Sequence, residues 1–383
     1  MIARHVKIKL NRKLRKELDS TLWNLTGLYN WAIKTIALRK DGGLPYSYFD
    51  ILNLLSDHSK KCGVSQRALA GTVYDAHGAW AKCWSLQNGK PRLKGARNPL
   101  NSILFRGDCK LSPEDNTLKL PNFGWVKFHS LTGGFPTGKL ASSIRLIRKA
   151  SGWYAVLLFD SDHQQVIVNT NTQIGIDTGF KNLITTSQGE VFEHPRELEA
   201  SSKQLARVQR GKHLRTAARL QEKISNQRKD RNHKISHQLV RDNAEIYITK
   251  DNLRGQQARF GKSIQSSGIG QLRQFILYKG SSSGRVVMLV DSRYSTMTCS
   301  SCEGRTGPSG LNGLNIRYWV CSACGAEHDR DVNAAINTLN AGVRSTLETS
   351  KEVVSEVPKG TKKRLKKFRV CKDPKSYPGR VAS

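Results

Sequence analysis

Two Cys-x-x-Cys pairs, Cys299/Cys302 and Cys321/Cys324, stand 18 residues apart and constrain the local fold more tightly than any other feature of the 383-residue chain. Each pair offers two sulfurs from one tight turn, and four thiolates at this separation make a tetrahedral zinc site with no open coordination position. The spacing predicts a structural Zn²⁺ held by Cys299, Cys302, Cys321 and Cys324, with Thr306–Gly313 as a flexible link between the turns. The remaining cysteines, Cys62, Cys83, Cys109 and Cys371, are scattered, which suits reduced thiols around one metal site better than a disulfide framework.

Charge limits what such a chain touches. Sixty-three Lys and Arg face 30 Asp and Glu, a formal net charge of +33. Self-repulsion on that scale opposes a compact fold unless a polyanion neutralises it, and cations facing phosphate gain affinity by releasing condensed counterions. The natural partner is DNA or RNA, with a basic ribosome-like protein lacking chemistry left open by charge alone. No uninterrupted apolar stretch approaches the roughly 18 residues of a membrane-spanning helix, so no membrane partner is expected. The opening residues alternate apolar and basic instead of forming a signal-peptide core, and read as a strand in a cytoplasmic protein.

Leu14, Leu18, Leu22, Leu25, Tyr29, Ile33 and Ile36 recur at steps of three or four, the stripe of an amphipathic helix, and Leu69, Val73, Trp80 and Trp84 mark a second one. Trp23 and Trp31 share this helical spacing and are read as core. A basic stretch, Lys90–Arg97, leads into strand-like runs at Ser102–Phe105, Thr117–Leu120, Gly124–Phe128, Ser143–Arg148 and Tyr154–Phe159, with turn signals between them. These runs predict a small β-barrel that includes the opening strand and carries the helices as an insertion.

From Asn171 the pattern becomes α/β. Asp177 ends a strand before a glycine-containing turn, which leaves its carboxylate open to a metal ion; taken alone, a strand-end Asp is more often a turn residue. Residues 195–242 form a basic helical region in which His233 and His237 lie one turn apart but lack the Glu of a zinc-peptidase motif, so no metal is assigned to them. Asp251 lies near the end of the strand-like run Ala244–Arg254, and Asp291 leaves a strand expected to be buried. Asp329 and Asp331 begin a helix that ends at Gly342, one able to cap it and the other to face a metal. Beyond Gly342 the sequence is poor in apolar residues and includes the basic run Lys359–Arg369.

The order Gly-Ile-Asp-x-Gly-x-Lys-Asn-Leu (175–183), Tyr-Ser-x-x-Thr-Cys-Ser-x-Cys (294–302) and Cys-x-x-Cys-Gly-x-x-His-Asp-Arg-Asp-x-Asn-Ala-Ala-x-Asn (321–337) resembles the transposon-encoded TnpB family and its relatives, the small type V CRISPR effectors. Over 170–342 the motifs are specific; Lys90-Pro-Arg-Leu-Lys and Leu120-Pro-Asn-Phe-Gly extend the likeness more weakly toward the N-terminus. The resemblance implies a multidomain α+β chain: a wedge-like β-barrel (1–12 and 98–168) with a helical recognition insertion (13–97), then an RNase H-like RuvC nuclease domain (169–298 and 325–342). A zinc-binding target-nucleic-acid knuckle (299–324) interrupts that domain, and a basic disordered tail (343–383) follows. It further implies an RNA-guided DNA-binding protein and Mg²⁺-dependent DNA endonuclease, a guide RNA transcribed from the transposon end, and double-stranded target DNA. Asp177 matches the first Mg²⁺-binding acid and Asp331 the third. The second departs from the family's Glu: Asp251 in Asp-Asn-Leu is the nearest match, with Asp291 as the alternative. That departure keeps open a catalytically degenerate, repressor-like DNA-binding protein, and the resemblance equally admits a small type V CRISPR effector.

Overall fold

The structure is a computed structural model that describes residues 2–55, 63–85, 89–107, 109–131, 134–160, 172–179, 182–194, 197–250, 267–309 and 312–355. In the N-terminal half, helix α1 (Arg12–Asp41) starts at Asn11, whose side chain accepts the Leu14 amide at 2.8 Å. Its stripe from Leu18 to Ile36 is buried as the spacing predicts, and α2 (Tyr48–Asn53) and α3 (Gln66–Ser85) pack beside it. Trp80 of α3 donates its indole N–H to the Ile33 carbonyl of α1 at 3.0 Å, so a buried aromatic also satisfies its polar atom. Trp23 and Trp31 depart from the core reading: they are 56% and 36% exposed. At about 100° per residue they fall on the side of α1 opposite the leucine–isoleucine stripe.

Strand β1 (Ile2–Lys7) pairs antiparallel with β8 (Gly152–Asp160), which pairs with β7 (Ser143–Lys149) and β6 (Lys139–Leu140); β7 in turn pairs with β2 (Ser102–Arg106). Strands β3 (Lys110–Ser112), β4 (Thr117–Leu120) and β5 (Gly124–Lys127) make a second sheet. The two sheets share one hydrophobic core and meet where Ile8 bridges Phe128.

The expected barrel does not close among the described residues, because β2 and β3 are not paired. The reason lies at the free edge of β2. Asn101 and Gly107 exchange hydrogen bonds with the β7 side, so by alternation Leu104 turns its carbonyl outward. Helix α3 covers that edge, and a Cβ on Gly71 would stand 1.9 Å from the Leu104 oxygen. A helix thus protects the strand edge that another strand would otherwise pair with.

The C-terminal half is built on a five-stranded sheet ordered β11 (Val191–Glu193), β10 (Asn182–Thr186), β9 (Gln173–Thr178), β12 (Glu245–Thr249) and β13 (Val286–Val290), in which β9, β12 and β13 run parallel. Side chains alternate across it. Ile174, Ile176, Ile246 and Ile248 share a core with Leu239 of α5 (Leu214–Asp242) and Leu272 of α6 (Ile269–Ser282). On the other face Gly175 and Tyr247 receive α7 (Arg330–Ser355). Helix α4 (Glu197–Arg210) packs on α5. The two halves meet where Glu222 of α5 accepts the Ser151 amide at 2.9 Å and the Ser151 hydroxyl at 2.6 Å.

Two further expectations are corrected. β13 is an edge strand with Val286 and Leu289 exposed, not a buried one. Helix α7 does not end at Gly342 but continues to Ser355, and Thr346 packs its hydroxyl 3.3 Å from that of Tyr247, so the segment after 342 begins as helix and not as tail. Gly342 lies against the Tyr247 ring, where a Cβ would come within 2.1 Å; it is there for close packing.

The same logic applies more strongly at Gly175, where a Cβ would meet the Ala335 carbonyl at 2.1 Å and backbone cannot step aside cheaply. Gly175→Ala is expected to cost about 1–3 kcal/mol of overpacking, read by urea denaturation. Gly27→Ala, on the exposed face of α1 with open space around it, should instead stabilise by about 0.5–1 kcal/mol.

Candidate functional site

The four cysteines singled out by spacing come together: one sulfur from each lies within 4.8 Å of all the others. Cys299 and Cys324 are 3.7 Å apart and Cys302 and Cys321 3.6 Å, close to the roughly 3.8 Å edge of a tetrahedron with 2.3 Å metal–sulfur bonds. Geometry and donor set both fit a four-thiolate metal ion. The first turn is closed by the Glu303 amide on the Cys299 carbonyl, the second by the Gly325 amide on the Cys321 carbonyl. Strands β14 (Tyr318–Val320) and β15 (Glu327–Asp329) form the hairpin beneath the second turn, and His328 brings its ring nitrogen 3.0 Å from the Cys299 sulfur. The Thr306 hydroxyl at 3.1 Å, with backbone amides of the turn, holds the Cys321 thiol down to about 6. Cys324 accepts favourable contact from the Ala326 amide, yet the adjoining Cys302 thiol drives it up to about 12. Four crowded thiols without a cation share protons unequally, whereas a dication favours all four thiolates.

The knuckle is clamped to α7. Asn333, buried in the second turn of that helix, accepts the Ser300 amide at 2.9 Å and donates to the Thr298 carbonyl at 2.8 Å. Asn337, one turn on, donates to the carbonyls of Ser295 and Thr298 at 2.8 and 2.7 Å. Both are spaced to face the same segment, and both lie within six residues of Asp331.

Asp329 and Asp331 divide their roles as the alternation of cap and free acid allows. Asp329 accepts the amides of Asp331 and Val332 at 2.9 and 3.0 Å and caps α7. Asp331 is released from capping and is 17% exposed. Arg317, just before β14, reaches both its carboxylate oxygens at 3.1 Å, and the Asn182 amide of β10 lies 3.4 Å from one of them. Asp177 stands two residues beyond Gly175 on the same face of β9, while Asp331 stands one helical turn before Ala335, the residue above Gly175. The crossing of α7 over β9, with Asn182 of β10 against Asp331, puts both acids at the same end of the sheet, the carboxyl ends of the parallel strands where α/β sheets bind ligands.

Of the other sequence-predicted acids, Asp251 lies outside the described residues. The strand before it ends at Thr249, whose hydroxyl is 3.1 Å from that of Thr178, next to Asp177. Asp291 sits at the same end of the sheet but follows β13, two strands from β9 and so roughly 10 Å away. It is 64% exposed and holds Arg293 at 3.3 Å. Arg317 escaped the sequence reading, since it sits in a link without periodicity; Asn182 and Thr306 were read only as part of a motif and of a flexible link, with no side-chain role. The Asn333/Asn337 pair at i and i+4 was the readable signal of a clamp.

Between the halves lies a cleft of about 580 Å³ lined by Arg15, Arg148, Lys149, Arg215 and Arg219, with Asp19 as its acid. Asp19 pairs with Arg148 at 3.3 Å, and the remaining guanidinium groups leave the cleft strongly cationic. No helix among the described residues is long and apolar enough to cross a membrane.

Two family models match this chain: one described as a probable transposase over residues 157–257, and the Cas12f1-like TNB domain over residues 270–338. A putative RNA-guided DNA endonuclease of Streptomyces pristinaespiralis is 31% identical over 226 residues, 55% of this chain and 55% of that protein. The chain thus matches about half the length of that relative. The putative RNA-guided DNA endonuclease InsQ of Escherichia coli is 26% identical over 72% of this chain and 74% of its own length. The CRISPR-associated endodeoxyribonuclease Cas12f1 of Sulfoacidibacillus thermotolerans is 26% identical over 51% of this chain and 52% of its own. In fold, the chain resembles a Cas12f1 solved in complex with sgRNA and target DNA, with a TM-score of 0.53 at 13% identity over 87% of this chain and 84% of that one.

The thiolate cluster carries its own test. Elemental analysis of the purified chain should find one zinc, and Cys321→Ser should lower the melting temperature of the C-terminal half while leaving the N-terminal core intact. A metal-free chain of unchanged stability would contradict it.

Proposed function

We propose that the chain is a member of the TnpB family and, from that premise, an RNA-guided DNA-binding protein and Mg²⁺-dependent DNA endonuclease of the TnpB type. The observation that supports the proposal is the crossing of α7 over β9 at Gly175, with Asp177 two residues along the strand and Asp331 one turn back along the helix, where Arg317 pairs with it. The strand order with β9 central is the one expected of an RNase H-like core, and the four-thiolate knuckle on the same helix suits structural zinc. The N-terminal sheets and helices then make the wedge-like and recognition parts, within the boundaries read from the sequence, and the chain works in the cytoplasm on the nucleoid.

Asp177 and Asp331 would hold Mg²⁺, with Asp251 as the third ligand: oxygen donors suit this hard cation, and two of them are held on rigid elements. When bound, the ion activates water and stabilises the oxygen that leaves during phosphodiester hydrolysis. The chain's own groups do the rest. Asn182 and Arg317 fix the orientation of the Asp331 carboxylate. Arg317, which reaches both carboxylate oxygens through its Nη1, also supplies a guanidinium able to exchange that carboxylate for a phosphate oxygen. The cationic cleft between the halves takes a nucleic-acid backbone, while pairing with the guide RNA reads the sequence of double-stranded DNA.

Asp177→Ala and Asp331→Ala are expected to lower Mg²⁺-dependent cleavage of a target plasmid at least about 10²-fold while guided binding, measured by gel shift, persists. Asp251→Glu, which restores the longer acid, should raise cleavage, whereas Asp291→Ala should change it little. Arg317→Ala should reduce turnover about 10²-fold with little change in target affinity. A chain that binds its target yet never cuts it with Mg²⁺ or Mn²⁺ would overturn the nuclease reading in favour of a repressor-like one.

A further inference from the structure

Helix α1 turns one face to the core and an unusual face to solvent. Its exposed side carries Trp23 and Trp31, eight residues and so about 12 Å apart, with Gly27 between them. A Cβ on Gly27 would meet nothing within 4 Å, so the gap between the two indoles is open. At 100° per residue Lys13, Lys16 and Lys34 share this sector, and all are exposed. Glu17, at the edge of this sector, and Asp41, at the far end of the helix, are the acids on the same side, while Asp19 is turned away to Arg148. The indoles are not part of the hydrophobic core beneath.

Aromatic faces spaced along a lysine-bearing ridge match a strand whose bases are unpaired: each base has a π-face for stacking, and each phosphate meets a cation. A duplex buries its base faces and fits this ridge only through its phosphates. A second copy of the chain fits worse, since two bodies of charge +33 would have to bring the same lysines together. Large aromatic surface left in water favours a resident partner over a transient one, which points to RNA over target DNA. We propose that the outer face of α1, through Trp23 and Trp31, is a stacking platform for an unpaired segment of the bound RNA. The inference rests on the RNA-guided reading above and assigns one part of the RNA to one surface.

The test uses the full chain with 20-nucleotide oligoadenylate and oligouridylate and a duplex RNA of equal length as probes, in filter binding at fixed salt. Trp23→Ala/Trp31→Ala is expected to weaken binding of the single strands at least tenfold and of the duplex less than twofold, at unchanged melting temperature. Trp23→Phe/Trp31→Phe should recover much of the loss, because a smaller ring still stacks. Equal single-strand affinity in the alanine variant and the unmodified chain would overturn the platform while leaving RNA guidance intact. A chain that binds none of these RNAs would overturn both. Self-association by sedimentation that the alanine variant abolishes would make the face a homotypic interface and overturn the proposal as well.

Discussion

Everything in the C-terminal half depends on how closely helix α7 can lie on strand β9. A hydrogen at Gly175 in place of a side chain lets the two backbones approach to a distance that any Cβ would forbid. That single contact sets the register: Asp177 two residues along the strand, Asp331 one turn back along the helix. The same helix then carries Asn333 and Asn337, which donate to carbonyls just before the first cysteine turn, while Asn333 accepts the Ser300 amide within it. Strand β9, helix α7 and the thiolate knuckle are consequently one mechanical unit, so that disturbing the thiolate cluster reaches Asp331 through Asn333, two residues away, and Asn337, one turn further on. The buried Asn333 amide both accepts and donates, so displacing it is costly, which makes the linkage stiff.

The second constraint is charge. A body of +33 gains much of its stability in the cell from what it binds, because neutralising phosphates relieves repulsion among its own cations. The distribution is not uniform. Arg15, Arg148, Arg215 and Arg219 gather in the cleft where the two halves meet, at the place where Glu222 fastens the β7–β8 turn to α5. A polyanion in that cleft would touch both halves at once, and its binding would tighten the junction at which Glu222 holds Ser151.

Much of this was legible in the residues because the signals were local. Cysteine pairs need tight turns, and the sulfurs converge as their spacing requires; the leucine stripe of α1 is buried where its period puts it. What the sequence hid was tertiary. Trp23 and Trp31 share a helical spacing with the core residues but differ in angle, and only the angle decides between core and solvent. Gly342 carries the signature of a helix stop, yet a buried tyrosine ring packed on the helix requires the same residue, so composition could not separate the two. Strand runs announced a barrel, but the covering of the β2 edge by α3 depends on Gly71, one small residue in a helix read only for its stripe. Arg317 had no pattern at all, because a guanidinium that reaches a distant carboxylate needs length and position, not periodicity.

The most direct measurement is affinity cleavage of the chain by Fe²⁺ substituted for Mg²⁺, with ascorbate and peroxide, mapped by mass spectrometry. Hydroxyl radicals cut backbone near the bound ion. If Asp177 and Asp331 form one cation site, scission should occur beside both residues in the same sample and should be suppressed by excess Mg²⁺ and by Asp177→Ala. Cuts at one acid without the other, or at neither, would contradict a shared site and with it the nuclease centre.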